Sequence, residues 1–219
     1  MTRIQRETVA DKSAAVLRDR ILGGTLRPGS AVTEDAVAED LGVSRATIRQ
    51  ALNTLLIDGL LTRHPATRVL QVTTLSADDV RDIYRARRFL ELGGVDAAAY
   101  ASTEQLARIT DTVADLEKAV ADNDITGFVQ ADFRAHAEVV ALLGSRHLAA
   151  AHAQLMAKLR LVIIQVTETE QDIEDDLAKH QEFARLLMSG AITEARAQLA
   201  ARLDAAERSV ASEAAQSAG

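Results

Sequence analysis

The chain has 219 residues, no cysteine and a formal charge of −7, which excludes a disulfide framework and thiol chemistry. Nearly half of the residues are apolar but only 3% are aromatic, so a core must be packed from Leu, Val, Ile and Ala. There are two prolines and abundant alanine, which favours long helices. No apolar run reaches the roughly 18 residues of a membrane helix and the start lacks a signal-peptide core, so a cytoplasmic chain without a membrane partner is expected.

Residues 1–10 read as a loose arm. Ser13 to Gly23 reads as a first helix with Ala14, Leu17 and Ile21 as its apolar stripe, and Leu26-Arg27-Pro28-Gly29 as a turn. Thr33 suits the N-cap of a short helix in which Val37 and Leu41 lie one turn apart, and Gly42 ends it. Val43 plugs the turn. Ser44 then caps a third helix whose Ile48, Ala51, Leu52 and Leu55 share one face. Arg45, Thr47, Arg49, Gln50 and Asn53 are left on the other faces.

Helix, Gly, apolar residue, Ser, helix is the spacing of a helix-turn-helix. A helix with Arg, Thr and Gln near its N-terminus suits a major groove, where Arg pairs with guanine and Gln with adenine. A solvated surface helix has the same pattern. Asp58-Gly59 makes a turn, and two β-prone runs, Leu60 to Arg63 and Val69 to Val72, flank His64-Pro65-Ala66-Thr67-Arg68. That reads as a hairpin whose tip is a wing. Residues 1–75 carry ten Lys/Arg against eight Asp/Glu, and the remainder fifteen against 24. The local cluster of Arg45, Arg49, Arg63, Arg68 and His64 governs phosphate binding more than the acidic total does.

From Ser76 onward the pattern is helical, starting with a capping-box-like Ser76-Ala77-Asp78-Asp79. Helices are expected to about Ala101, from a Thr103 cap to about Asp122, from Asp124 to about Leu143, from Ser145 to about Val166, from about Gln171 to Ser189, and from a Thr193 cap to a tail that frays after about Ser212. Short connections join them into a bundle. The fold class is therefore mainly α: a winged helix-turn-helix over 1–75, then an all-α antiparallel helical bundle over 76–219. Asp132 and His136, at i and i+4, share a helical face, and His180 lies on another helix. One carboxylate and two imidazoles suit a divalent metal such as zinc, with open positions. A surface pair or a satisfied histidine has the same spacing. His147 and His152 read as ordinary surface or packing residues.

The run Gly24 to Gly29, Val32-Thr33-Glu34, Leu41 through Leu52, Leu55 and Asp58-Gly59-Leu60-Leu61 closely resembles the DNA-binding domain of GntR-family transcription regulators. The resemblance implies that Arg45, Thr47 and Arg49 contact groove and phosphate, with Ser44 and Gln50 beside them, and that the wing reaches the minor groove. The family's wing-tip glycine is missing after Arg68, so Arg68 and His64 are expected to reach with their side chains. The helical half is similar to the FCD effector domain of the FadR branch, on Ile83 to Arg87 with Glu91, Asp132 with His136, Gly144 with Leu148, and Lys179-His180.

That second resemblance implies a divalent metal on Asp132, His136 and His180, a small organic acid beside it, and Arg87 facing the pocket. Arg87 also suits a surface pair with Glu91. The expected fourth ligand falls at Arg202, and arginine does not ligate metals. Either three ligands hold the ion, or Arg202 replaces it and pairs with Asp132 or clamps an effector carboxylate; an Arg202 that snorkels to solvent does neither. The second outcome is favoured, since a cation repels a metal. The functional expectation is a homodimeric regulator of operator DNA, a repressor, controlled by a small organic acid. Its rivals are a metal-dependent enzyme using Asp132, His136 and His180 and a DNA binder indifferent to sequence.

Overall fold

A computed structural model describes residues 7–163 and 170–217. They fold into two compact units.

The first unit begins with α1 (Val9–Leu22), α2 (Glu34–Leu41) and α3 (Arg45–Ile57), followed by β1 (Leu61–Arg63) and β2 (Leu70–Val72). The first helix starts earlier than its apolar stripe suggests. Thr8 accepts from the Asp11 backbone N–H at 3.1 Å, and Asp11 accepts from the Thr8 N–H at 2.9 Å, a reciprocal capping box that makes Ser13 an interior residue. Residues 1–6 of the expected arm lie outside the described residues. Thr33 and Ser44 cap α2 and α3, and Gly42 takes the left-handed conformation, φ 65°, that lets the chain turn between them.

The strands pair antiparallel, Leu61 with Val72 and Arg63 with Leu70. The preceding segment adds to this edge, with the Val32 N–H donating to the Leu70 carbonyl at 2.8 Å. Leu17, Ile21, Ile48, Leu52, Leu55 and Val72 form the core, joined by Leu161 from the end of α7 (Arg146–Ile163), whose stretch from Ala157 belongs to this unit.

The second unit holds α4 (Ala77–Ala97), which runs into a 3-10 turn, Ala98–Tyr100, then α5 (Thr103–Ala121), α6 (Ile125–Ala141), the first part of α7, α8 (Glu170–Met188) and α9 (Ile192–Ser217). Helix α4 packs on α6 and α9, and α5 on α6 and α8. Three expected ends differ. Ser102, not Thr103, caps α5, because Gln105 closes a capping box onto it. Thr193 lies inside the first turn of α9, and that helix continues past Ser212 to Ser217. The expected end of the fourth helix near Val166 falls outside the described residues.

Helices α4 and α6 approach closely at Gly94, where a Cβ would lie 2.2 Å from the Val139 carbonyl oxygen. Only glycine permits this crossing. One turn before it on each helix stand Glu91 and His136.

Candidate functional site

In the first unit, α3 buries Ile48, Ala51, Leu52 and Leu55, so the rest of its circumference faces outward. Arg45, Arg49 and Gln50 are exposed and Thr47 is half-buried. Ser44 Oγ caps the helix on the Thr47 N–H at 3.2 Å and lies 2.8 Å from Thr47 Oγ1. The two arginines are held by the acidic first turn of α2. Arg49 forms a two-pronged bond to Glu34, Nε to Oε1 and Nη2 to Oε2, both at 2.9 Å, and Arg45 Nε lies 3.0 Å from Asp35.

At the wing, His64 Nδ1 accepts from the Ala66 and Thr67 N–H groups at 3.2 Å. This imidazole therefore shapes the tip as well as standing beside it. Arg68 is exposed and left-handed, φ 62°, in the conformation that a glycine would take without strain.

In the second unit, Asp132, His136 and His180 converge, with their ligand atoms within 4.8 Å of one another. His136 lies between two carboxylates: Nδ1 meets Glu91 at 2.6 Å and Nε2 faces Asp132 at 3.4 Å. Burial by itself would lower the His136 pKa, but Glu91 and Asp132 outweigh it and push it up to about 9. Burial would likewise raise Glu91 and Asp132. The charge of His136, with Arg87 beside Glu91 and His180 beside Asp132, instead holds both well below the usual carboxylate range.

His180 Nδ1 donates to the Asp176 carbonyl at 2.9 Å, which orients the ring. Nε2 lies 3.0 Å from Asp132 Oδ1 and 2.8 Å from Arg202 Nη2. The Arg202 guanidinium also faces Asp132 at 3.8 Å and Asp176 at 3.6 Å.

Asp132, His136 and His180 form a group that could hold a metal ion, with ring orientations fixed from behind by Glu91 and Asp176 as metal-binding histidines require. The neighbour completing the group argues against one. A guanidinium has five donors, no acceptor and no accessible neutral form, and like unit charges 4 Å apart repel by about 4 kcal/mol near a protein surface. Arg202, where a fourth ligand is expected, brings a fixed positive charge 2.8 Å from His180 Nε2 in place of a donor atom.

Arg87 sits apart from this convergence. It is buried, pairs with Glu91 at 2.8 Å and lies over the Tyr84 ring at 4.8 Å. The pair that spacing placed at the surface is in the core. His152, read as ordinary, is also buried and bonds Glu91 through Nε2 at 3.0 Å; His147 is exposed. The sequence held a signal for His152, which lies on one stripe with buried Met156 and Leu159. Asp176 had one too: Asp176–His180 repeats the i, i+4 spacing of Asp132–His136.

Residues 9–69 match the family described as bacterial regulatory proteins, gntR family, and residues 82–205 match the FCD domain. The chain is 32% identical over 134 residues to the HTH-type transcriptional regulator YdhC of Bacillus subtilis, a stretch covering 60% of this chain and 59% of that protein. It is 38% identical over 79 residues to the Nta operon transcriptional regulator of Aminobacter aminovorans, covering 36% and 37%. The chain thus spans less than two thirds of either relative. Among solved structures, a structural-genomics GntR from Rhodococcus sp. RHA1 superposes with a TM-score of 0.81 at 26% identity, over 92% of this chain and 96% of that one. E. coli McbR/YncC shares the fold, with a TM-score of 0.79 at 18% identity over 94% and 98%. With a winged helix-turn-helix followed by an FCD domain that matches more than half its length, this chain belongs to the GntR family of bacterial regulatory proteins.

Proposed function

We propose that the protein is a sequence-specific transcription regulator of the FadR branch, a repressor that binds operator DNA as a homodimer and is controlled by a small organic acid held in the helical bundle. The observation that carries this reading is α3 itself: Arg45, Arg49 and Gln50 stand exposed on a helix whose opposite face is buried. One recognition helix reads one half-site, so a two-fold operator calls for two copies. Family membership supports a regulator and not a metal-dependent enzyme. Efficient release from DNA requires the effector to favour the released state by about 10⁴-fold.

The test is binding of DNA from the protein's own promoter region against random DNA of equal length across a salt series. Promoter DNA is expected to bind more tightly; equal affinity removes the regulator reading. Arg49→Ala should lower affinity and reduce the log–log salt slope by about 0.9 if the guanidinium meets a phosphate. An unchanged slope and affinity would place Arg49 off the DNA.

A further inference from the structure

Helix α4 buries Val80, Tyr84, Arg87, Glu91 and Val95 against its neighbours. Its opposite face carries Asp82, Arg85, Phe89 and Asp96, all exposed, with Leu92 half-buried at its edge. The 3-10 turn that follows ends at Tyr100, about three helical turns beyond Phe89. The chain has four Phe, two Tyr and no Trp. Phe128, Phe183 and Tyr84 are buried, whereas Phe89 is 84% and Tyr100 93% exposed. Single apolar residues at a surface are ordinary, but two whole aromatic rings aligned along one helix have the composition of an interface core.

The charges around the rings point to the surface that covers them. Arg85 precedes Phe89 and Asp96 follows it. Each has a partner in its own chain, Asp82 at 2.8 Å and Arg196 at 3.0 Å, yet the two side chains stay 69% and 55% exposed. Laid antiparallel on a second copy, about a two-fold axis between residues 90 and 91, the stripe is its own complement. Phe89 meets Leu92, Arg85 meets Asp96, and exposed Arg81 meets the Tyr100 ring. Laid parallel, Arg85 would face Arg85 and Asp96 would face Asp96. Four rings from two copies cover on the order of 600 Å², about half of the roughly 1,200 Å² at which specific interfaces begin.

We propose that this face of α4 is the contact between two copies of the chain, packed antiparallel across a two-fold axis beside Phe89. It rests on reading the regulator as a homodimer, and it names the face through which the copies pair. The two Phe89 rings stand about 4.5 Å apart along the helix direction, within reach of each other. The contact is isologous and supplies the two-fold symmetry that a palindromic operator requires.

The full-length protein is analysed by sedimentation equilibrium at micromolar concentration. The expected mass is twice the 23.5 kDa of one chain. Phe89→Asp should raise the dimer dissociation constant by about tenfold or more, with helix content by circular dichroism unchanged because the ring is exposed. In a chain with no cysteine of its own, Phe89→Cys should form an interchain disulfide on mild oxidation, which reads the contact even where the Asp variant does not fold. Arg85→Cys alone should not link, since its two copies stand about 16 Å apart in the antiparallel pair.

A native dimer that Phe89→Asp leaves intact, absence of the Phe89→Cys link, or a link through Arg85→Cys would overturn the proposal and leave the homodimer reading standing. A native protein of single-chain mass that still discriminates its promoter DNA would remove the homodimer reading and the proposal with it.

Discussion

Two Arg–Glu pairs of nearly equal length serve opposite ends. Arg49 and Glu34 meet at 2.9 Å with side chains 63% and 35% exposed; Arg87 and Glu91 meet at 2.8 Å with 4% and 0% exposed. At the surface such a pair contributes about 0–1 kcal/mol, so Arg49 can exchange Glu34 for a phosphate at little cost. In the core the desolvation of both charges has already been suffered, and neither partner can leave without stranding the other. The same pair of residue types thus gives an exposed, exchangeable contact in the first unit and a permanent fixture beneath the bundle site. Glu91 is the centre of that fixture, since it also receives His136 and His152.

The largest break in this contrast is expected from Glu91→Gln, which leaves the buried Arg87 charge uncompensated. Denaturant unfolding should record a loss of about 3–5 kcal/mol; a loss below 1 kcal/mol would mean that the pair behaves like a surface one. Next comes pH. The folded pKa of His136, about 9, lies above the ordinary 6.5, so its stabilising effect is complete below about pH 6.5 and disappears as pH rises through 9. Melting temperature measured with a chelator present should fall across that window, and His136→Gln should flatten the fall. A variant profile parallel to the native one would remove the imidazolium from the account. The smallest effect belongs to Glu34→Gln: a stability change under about 1 kcal/mol, with DNA affinity equal to or above native because Arg49 loses its competitor. Weaker DNA binding would show that Glu34 instead orients Arg49.

The recognition helix was legible because its information is local. Ser44, Ile48, Leu52 and Gly42 specify cap, buried face and stop within one short stretch. The convergence of Asp132, His136 and His180 was legible as spacing on two helices and through the resemblance to the FCD domain. What lay behind it was not, because Glu91 reaches His136 through the Gly94–Val139 crossing, a tertiary fact with no period in the sequence. The same holds for Leu161, since an apolar residue on a helix does not say which core it joins. Thr8 and Ser102 were missed for a different reason: each is followed by a second plausible starting residue, and the side chain three positions on, Asp11 or Gln105, decides between candidates.

Arg68 sets backbone ease against electrostatic range at the hairpin tip. Glycine would relax there, and asparagine would tolerate the conformation, but either exchange would strip a full charge from the wing. Because the side chain is exposed, substitutions at this one position would tune how far the hairpin's field extends without disturbing any packing underneath. It is a dial that mutation can turn independently of the fold.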